Sequence, residues 1–284
     1  MKTLKEYIKE AERKGVAIGH FNISNLEGFH AIVSASRELG LAVVVGVSEG
    51  EEDAVGIYQA VALVSSARKE GLPVFLNADH HYSFERVKAC VDAGFDAVII
   101  DGAKLPHEEN LALTKKCADY VKSVNPEIII EAEIGFIGSG SQIIEKIPDG
   151  VSEETMTRPE EAKEFVEKTG IDLLAPSVGN VHGMVRGGNP RLDIARIKEV
   201  RRVSGVPLVL HGGSGIADED FVAGIKAGIS MVHINTELRV AYTNALQKAL
   251  AENPNETTPY KYSKPAMEAM KQVVVNRLKL FNGM

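Results

Sequence analysis

Three histidines carry the clearest chemical signal in this sequence, because each sits beside a carboxylate or a glycine at the end of an apolar run: Asp79-His80, His182-Gly183 and His211-Gly212. Three neutral imidazoles with one open position suit a catalytic zinc ion. Asp79 lies next to one of them, and a carboxylate beside a cation stays ionised and can move a proton. Glu131 and Glu133 are two residues apart, so on a strand they share a face. Carboxylates that close repel each other unless a metal or a base lies between them. The stretch Leu210-His211-Gly212-Gly213-Ser214-Gly215-Ile216 leads into a helix predicted at Ala217, with Asp218 and Glu219 in its first turn. Glycines let backbone N–H groups turn toward a ligand. With the Ser214 hydroxyl and a helix N-terminus they make a phosphate cradle. Asn235-Thr236 closes the next apolar run. His81 is expected to point away from His80, and His20 to support a ligand from behind, while His30, His107 and His233 read as surface or core residues.

These groups need a frame that brings distant parts of the chain to one place. Eight short apolar runs recur: Val16–Gly19, Ala42–Val47, Val74–Leu76, Ala97–Ile100, Ile128–Ile130, Leu173–Ala175, Leu208–Leu210 and Val232–Ile234. Helical patterns lie between them, such as Leu26–Leu39, Ala54–Glu70, Ser83–Ala93, Glu108–Val124 and Pro159–Thr169. Strands alternating with helices imply parallel pairing through right-handed crossovers. Continuously apolar strands imply a sheet covered on both faces. Eight such units predict a single (β/α)8 barrel domain over residues 1–284. An open doubly wound sheet is the alternative, but no G-x-G-x-x-G follows the first strand. In a barrel, chemistry gathers where the strands give way to the loops that follow. All eight such ends carry polar groups, from His20-Phe21-Asn22 and Ser48-Glu49-Gly50 through Asn77 to His81, Asp101-Gly102 and Glu131-Ala132-Glu133 to Gly179-Asn180-Val181-His182-Gly183, His211 and Asn235.

Composition sets the outer bounds. The chain has 284 residues, 44% hydrophobic and 25% charged, with a formal charge of −7 and no basic stripe. A disordered chain and a nucleic-acid binder are thereby disfavoured. An anionic substrate must be met by a local site. No apolar run approaches a membrane span. The first fifteen residues read as an amphipathic helix around Leu4, Ile8 and Ala11 rather than a signal peptide, and a cytoplasmic protein is expected. Cys90 and Cys117 read as buried free thiols. Two irregular stretches stand out. One runs from Gly138 to Glu161 and looks like a long mobile loop; the other runs from Glu252 to Lys264 and separates two C-terminal helices.

Taken together, Ala17-Ile18-Gly19-His20-Phe21-Asn22, Ser48-Glu49-Gly50, Asp79-His80, Glu131-Ala132-Glu133, Gly179 to Gly183 and Leu208 to Gly215 resemble the class II, zinc-dependent ketose-bisphosphate aldolases, over nearly the whole chain. The resemblance implies a TIM barrel binding Zn²⁺ through His80, His182 and His211, with Glu133 near an alternative metal position. It implies Asp79 as acid/base at the substrate C4 oxygen and Asn235 as the side chain holding the enediolate. Gly183, Gly212 and Ser214 match the phosphate cradle, with Thr236 as its threonine, and Asn22 and Ser48 match groups near the other half of the sugar. Arg186 falls where a phosphate-contacting lysine often stands. Arg277 matches an arginine that reaches the second phosphate across a subunit interface, so a homodimer or homotetramer is implied, as is Na⁺ or K⁺ beside the phosphate.

Two features depart from the family pattern. The loop after Glu133 reads Gly135-Phe136-Ile137-Gly138-Ser139-Gly140-Ser141-Gln142, without the acid that relatives use on the carbon-bound proton. Glu145 is the nearest, displaced replacement. The strand-8 segment Asn235-Thr236-Glu237-Leu238-Arg239 is also shorter than usual. The activity expected is reversible aldol cleavage of a ketose bisphosphate, fructose or tagatose 1,6-bisphosphate. A metal-dependent hydrolase is disfavoured because His20-Phe21-Asn22 lacks a His-x-His. A phosphosugar-binding relative without turnover is the other alternative.

Overall fold

The computed structural model describes Lys2–Met284. Eight parallel strands close into a barrel: β1 (Ile18–Asn22), β2 (Val43–Val47), β3 (Val74–His81), β4 (Ala97–Ile100), β5 (Ile129–Ile134), β7 (Leu173–Pro176), β9 (Leu208–Leu210) and β10 (Ile229–Ile234). The strand order is β1-β10-β9-β7-β5-β4-β3-β2, closing on itself. Two short strands, β6 (Ile143–Ile144) and β8 (Met184–Val185), pair outside the barrel. The predicted (β/α)8 barrel is the observed architecture. Branched apolar residues build the strands because they pack on both faces of a fully covered sheet.

The predicted helices mostly stand where their apolar periodicity puts them, with caps that explain their ends. Leu26–Leu39 begins on Asn25, whose side chain accepts from the Gly28 N–H, and ends on Gly40 in the left-handed region. Ser83 caps Phe84–Ala93 in the same way. The pattern over Ala54–Glu70 divides into two helices, Glu49–Val55 and Ile57–Lys69, because Gly56 at φ 91° breaks it. The Gly138–Glu161 stretch is tied down in part, through β6 pairing with β8 and a 3₁₀ turn at Glu153–Thr155.

Two apolar clusters hold the fold. The larger lies between the strands and the surrounding helices. The smaller fills one end of the barrel, where Ile18, Val44, Phe75, Ile129, Leu173, Val209 and Met231 meet Leu4, Ile8 and Ala11 of the helix Leu4–Lys14. That helix plugs the bottom of the barrel. Cys90 and Cys117 are buried and free, as expected.

Strand ends depart most from expectation. β3 runs on through Asp79, His80 and His81, and β5 through Glu131 and Glu133, so the polar residues expected just beyond these apolar runs belong to the strands themselves. The polar character of these segments obscures their strand geometry.

Candidate active site

β3 solves a geometric problem. On a regular strand, adjacent side chains point to opposite faces, so Asp79 and His80 could not share a pocket. The pairing of β3 with β4 shifts register between Ala78 and His81, and His80 has φ 48°, the one non-glycine residue with positive φ among those described. This bulge turns His80 inward beside Asp79 and sends His81 outward. There His81 Nε2 lies 2.7 Å from Glu52 Oε2 and 3.4 Å from Cys90 Sγ. Strained backbone of this kind persists only where surrounding structure holds it.

The three expected imidazoles do converge. His80, His182, His211 and Glu133 each offer a ligand atom, and all four atoms lie within 4.8 Å of one another. The rings of His80 and His182 are 4.7 Å apart, those of His80 and His211 4.6 Å. The two carboxylates of β5 find the basic partner their spacing demanded. Glu133 Oε2 is 2.7 Å from His211 Nδ1, and Glu131 Oε1 is 2.6 Å from His211 Nε2. Asp101 Oδ2 is 2.9 Å from His80 Nδ1 and fixes that ring. Carboxylates behind histidine ligands orient them and raise their basicity. The donor set, one buried and two part-buried imidazoles and one buried carboxylate with oriented rings, fits a divalent cation.

Electrostatics follow from burial and from this clustering. Burial by itself would lower His211, but Glu131 and Glu133 hold it well above the ordinary histidine value. Burial likewise opposes the charge on His80, yet Asp79 and Asp101 raise it to about 9. Burial opposes the charge on Asp79 too, and the imidazoles of His80, His233 and His20 hold it well below the usual carboxylate range. Asp79 is therefore ionised. Its Oδ2 accepts from Asn22 Nδ2 at 2.8 Å.

A cavity joins these groups to the glycine-rich loops. It is lined on one side by Asp79, His80 and His182, and on the other by Gly183, Gly212, Gly213, Ser214 and Thr236. Gly212 has φ 60°, and a Cβ there would meet the Val181 carbonyl oxygen at 2.2 Å, so only glycine lets the two loops approach. Asn189 staples them, donating to the carbonyls of both Gly183 and Ser214. This cradle combines backbone N–H groups, a hydroxyl and the start of the helix Thr236–Glu252.

Several expected site residues stand elsewhere. Arg277 does not line the cavity of its own chain: its guanidinium binds Glu237 and Asp218. Arg186 lies on the exposed β8 side, 3.1 Å from Glu145, so both side chains neutralise each other away from the pocket. Glu145 does not line the cavity. Asn22 and Ser48 do reach the rim, but as a pair held by one residue the sequence reading passed over. Glu51 accepts from Asn22 Nδ2 at 2.7 Å, from the Ser48 N–H and hydroxyl at 2.9 Å each, and from Asn235 Nδ2 at 3.3 Å. Its signal was available, because Ser48-x-x-Glu51 is a capping box.

His233 needs correction as well. It lines the cavity, with Nδ1 3.3 Å from Asp79 Oδ1, and stacks on His20 at 3.5 Å between ring centroids. His20 and His233 are register partners on β1 and β10, and Gly46 leaves room for the His20 ring, which a Cβ would meet at 2.2 Å. The signal missed was its place near the end of the last strand, two residues before Asn235.

Comparison with known proteins matches this arrangement. A profile of the family described as Fructose-bisphosphate aldolase class-II matches residues 2–284. The chain belongs to the class-II fructose-bisphosphate aldolase family. It is 38% identical to the fructose-bisphosphate aldolase of Geobacillus stearothermophilus over 99% of this chain and 96% of that protein. Identity with the Staphylococcus aureus enzyme of the same name is also 38%, over 98% of this chain and 96% of that one. Among solved structures, the YdjI aldolase of Escherichia coli K12 superposes with a TM-score of 0.83 at 31% identity, over 98% of this chain and 96% of its own. The Campylobacter jejuni fructose-bisphosphate aldolase shares the fold, with a TM-score of 0.81 at 20% identity, over 98% and 94% of the two chains. A class-II aldolase is a lyase, and the family is generally metal-dependent. Among the described residues no helix is long and apolar enough to cross a membrane.

Proposed function

We infer that this class-II aldolase reversibly cleaves fructose 1,6-bisphosphate into dihydroxyacetone phosphate and glyceraldehyde 3-phosphate. One observation carries the reading. A cluster able to hold a cation adjoins, in a single cavity, an ionised carboxylate and a glycine cradle suited to phosphate. His80, His182 and His211 would hold Zn²⁺, with Glu133 as the alternative ligand. When bound, the cation would polarise the ketose carbonyl and support the charge left as the C3–C4 bond breaks.

The protein's own groups supply the rest. Gly183, Gly212, Ser214 and Thr236 seat the phosphate of the dihydroxyacetone half, which sets the carbonyl against the imidazole cluster. Asp79 is ionised and braced by Asn22, so it accepts the C4 hydroxyl proton in cleavage and returns it in condensation. Asn235 donates to the oxygen-rich fragment that remains. Ser48 and Asn22 contact the other half of the sugar. No Schiff-base lysine would be required, because a cation held by the imidazoles would supply that stabilisation together with hydrogen bonds.

The test is chelation. Cleavage of fructose 1,6-bisphosphate should stop when the purified protein is treated with a chelator and dialysed, and should return on adding Zn²⁺ or Co²⁺. Full activity in metal-free protein, verified by elemental analysis, would overturn the metal assignment.

A further inference from the structure

β3 ends in two consecutive histidines, and only the first reaches the cation cluster. On a regular strand Asp79 and His81 would share the inner face, and His80 would stand outside. A shift of one residue exchanges those faces. The bulge makes that exchange, and it does so at a residue that glycine cannot replace, because an imidazole is needed there. The positive φ of His80 must therefore be held from outside itself.

Inside the barrel, His80 is tied to Asp101 and Asp79 to Asn22. On the other side, the strand end is tied to one short helix, Glu49–Val55. Glu49 Oε1 accepts from the Tyr82 N–H at 3.0 Å, and Glu52 Oε2 lies 2.7 Å from His81 Nε2. His81 Nδ1 is buried without a partner. A carboxylate only accepts, so the ring carries its proton on Nε2 and spends it on Glu52. Glu52 is held in turn from the helix Phe84–Ala93: Cys90 Sγ donates to Oε2 at 3.0 Å and Arg86 Nη1 to Oε1 at 2.8 Å. His81 and Cys90 are fully buried and Glu52 is 5% exposed, so water offers the imidazole no substitute for the carboxylate.

The same three side chains could be read as a second cation site. Their atoms are already hydrogen-bonded to one another at 2.7, 3.0 and 3.4 Å, and Arg86 sets a positive charge on the carboxylate. The group is a socket for a ring. None of its side chains lines the cavity, so it touches no substrate.

We propose that Glu52 selects which histidine serves the cluster: by capturing His81 outside the barrel wall, it fixes the bulge that turns His80 inward beside Asp79. Glu52 and His81 are positioning residues, acting through a metal ligand and its neighbouring carboxylate. The effect on the cluster stands on the geometry of β3, and the effect on turnover rests on the aldolase reading above.

The experiment breaks the bond from either side, with His81→Phe and Glu52→Leu, and restores it with His81→Gln, whose amide can donate to Glu52. Arg86 keeps Asp53 in Glu52→Leu, so no cation is stranded. Each protein is stripped of metal, and its affinity for Zn²⁺ is read by competition with a chromogenic chelator. The visible absorption of the cobalt-loaded form reports ligand geometry. His81→Phe and Glu52→Leu should each bind Zn²⁺ about 10–100-fold more weakly, the range for losing a group behind a ligand. The double variant should be no worse than either alone, because both remove one interaction. The cobalt spectrum should change in all three and return toward that of the wild type in His81→Gln. In the zinc-loaded variants kcat for fructose 1,6-bisphosphate should fall while KM stays within about 2-fold, since the phosphate cradle is untouched. Cys90→Ala controls for packing. It opens a hole in the same socket but spares the Glu52–His81 bond, so it should lower the melting temperature and leave zinc affinity and the cobalt spectrum unchanged.

Wild-type affinity and spectrum in folded His81→Phe or Glu52→Leu would overturn the proposal. So would a loss of affinity in Cys90→Ala equal to theirs. Either variant carries the test alone if the other does not fold. A wild type that binds zinc without cleaving fructose 1,6-bisphosphate would overturn the aldolase reading instead, and the affinities would still decide the role of Glu52.

Discussion

Five strands of the barrel carry an apolar side chain and, two residues further on, a polar one on the same inner face. The pairs are Ile18 and His20, Phe75 and Asn77, Ile129 and Glu131, Val209 and His211, Met231 and His233. All ten side chains are buried. The lower layer packs against the helix Leu4–Lys14 and closes the barrel to water. The upper layer is built of groups that burial penalises. Of the nine buried side-chain atoms without a hydrogen-bond partner among the described residues, seven belong to His20, Asn22, Asn77, Asp79, Glu131 and His233. Each such atom costs on the order of 1–3 kcal/mol. The same strands therefore serve two ends. Their first halves stabilise, and their second halves hold a reactive constellation at a cost that the first halves offset.

Substitutions that cross the boundary between these layers should separate stability from activity. The largest effect is expected in the upper layer at His211, which touches both Glu131 and Glu133. His211→Ala should leave no measurable turnover and no retained divalent metal after dialysis, read by assay and elemental analysis. Retention of metal with wild-type stoichiometry would remove His211 from the ligand set. Asp79→Ala comes next. It should lower kcat by about 10²–10⁴-fold, the range of one acid/base group, while metal content stays near one ion per chain. If metal is lost as well, Asp79 acts on the cluster and not on the substrate.

The two layers were not equally legible in the sequence. The lower one announces itself, because β-branched apolar runs such as Val43–Val47 have no other stable place than a covered sheet. The three imidazoles were also legible, since their positions at three strand ends on one rim leave few alternatives to convergence. Three things were not. The bulge at His80 depends on the register between β3 and β4, which no local pattern carries. Glu51 acts through partners on two other segments, through Asn22 on one and Asn235 on the other, so its importance is visible only once the barrel closes. The pairing of Arg277 with Glu237 and Asp218, and of Arg186 with Glu145, depends on acids that only folding brings beside them.

Glu131 offers a subtler test of the upper layer. Its Oε1 faces His211 Nε2 at 2.6 Å, and Oε2 has no partner. Burial raises Glu131, with the nearby His211 opposing that rise. Glu131→Gln keeps the shape and removes the charge behind the ring. Metal affinity, measured by competition with a chromogenic chelator, should weaken about 10–100-fold, as when an outer partner of a ligand is lost. An unchanged affinity would mean that Glu131 only fills space.

The smallest effect should come from two residues below, on the same strand. Ile129 is 1% exposed and packs in the apolar cluster with Phe75, Leu173 and Val209. Ile129→Val removes one methylene and leaves the strand intact, which should destabilise the fold by about 0.5–1.5 kcal/mol. Urea unfolding should show a lower midpoint at unchanged slope. Metal affinity and kcat/KM should equal those of the wild type, since the lower layer touches none of the cluster. A fall in metal affinity to match Glu131→Gln would mean that the two layers act as one mechanical unit, and that the division of each strand into a stabilising half and a reactive half is false.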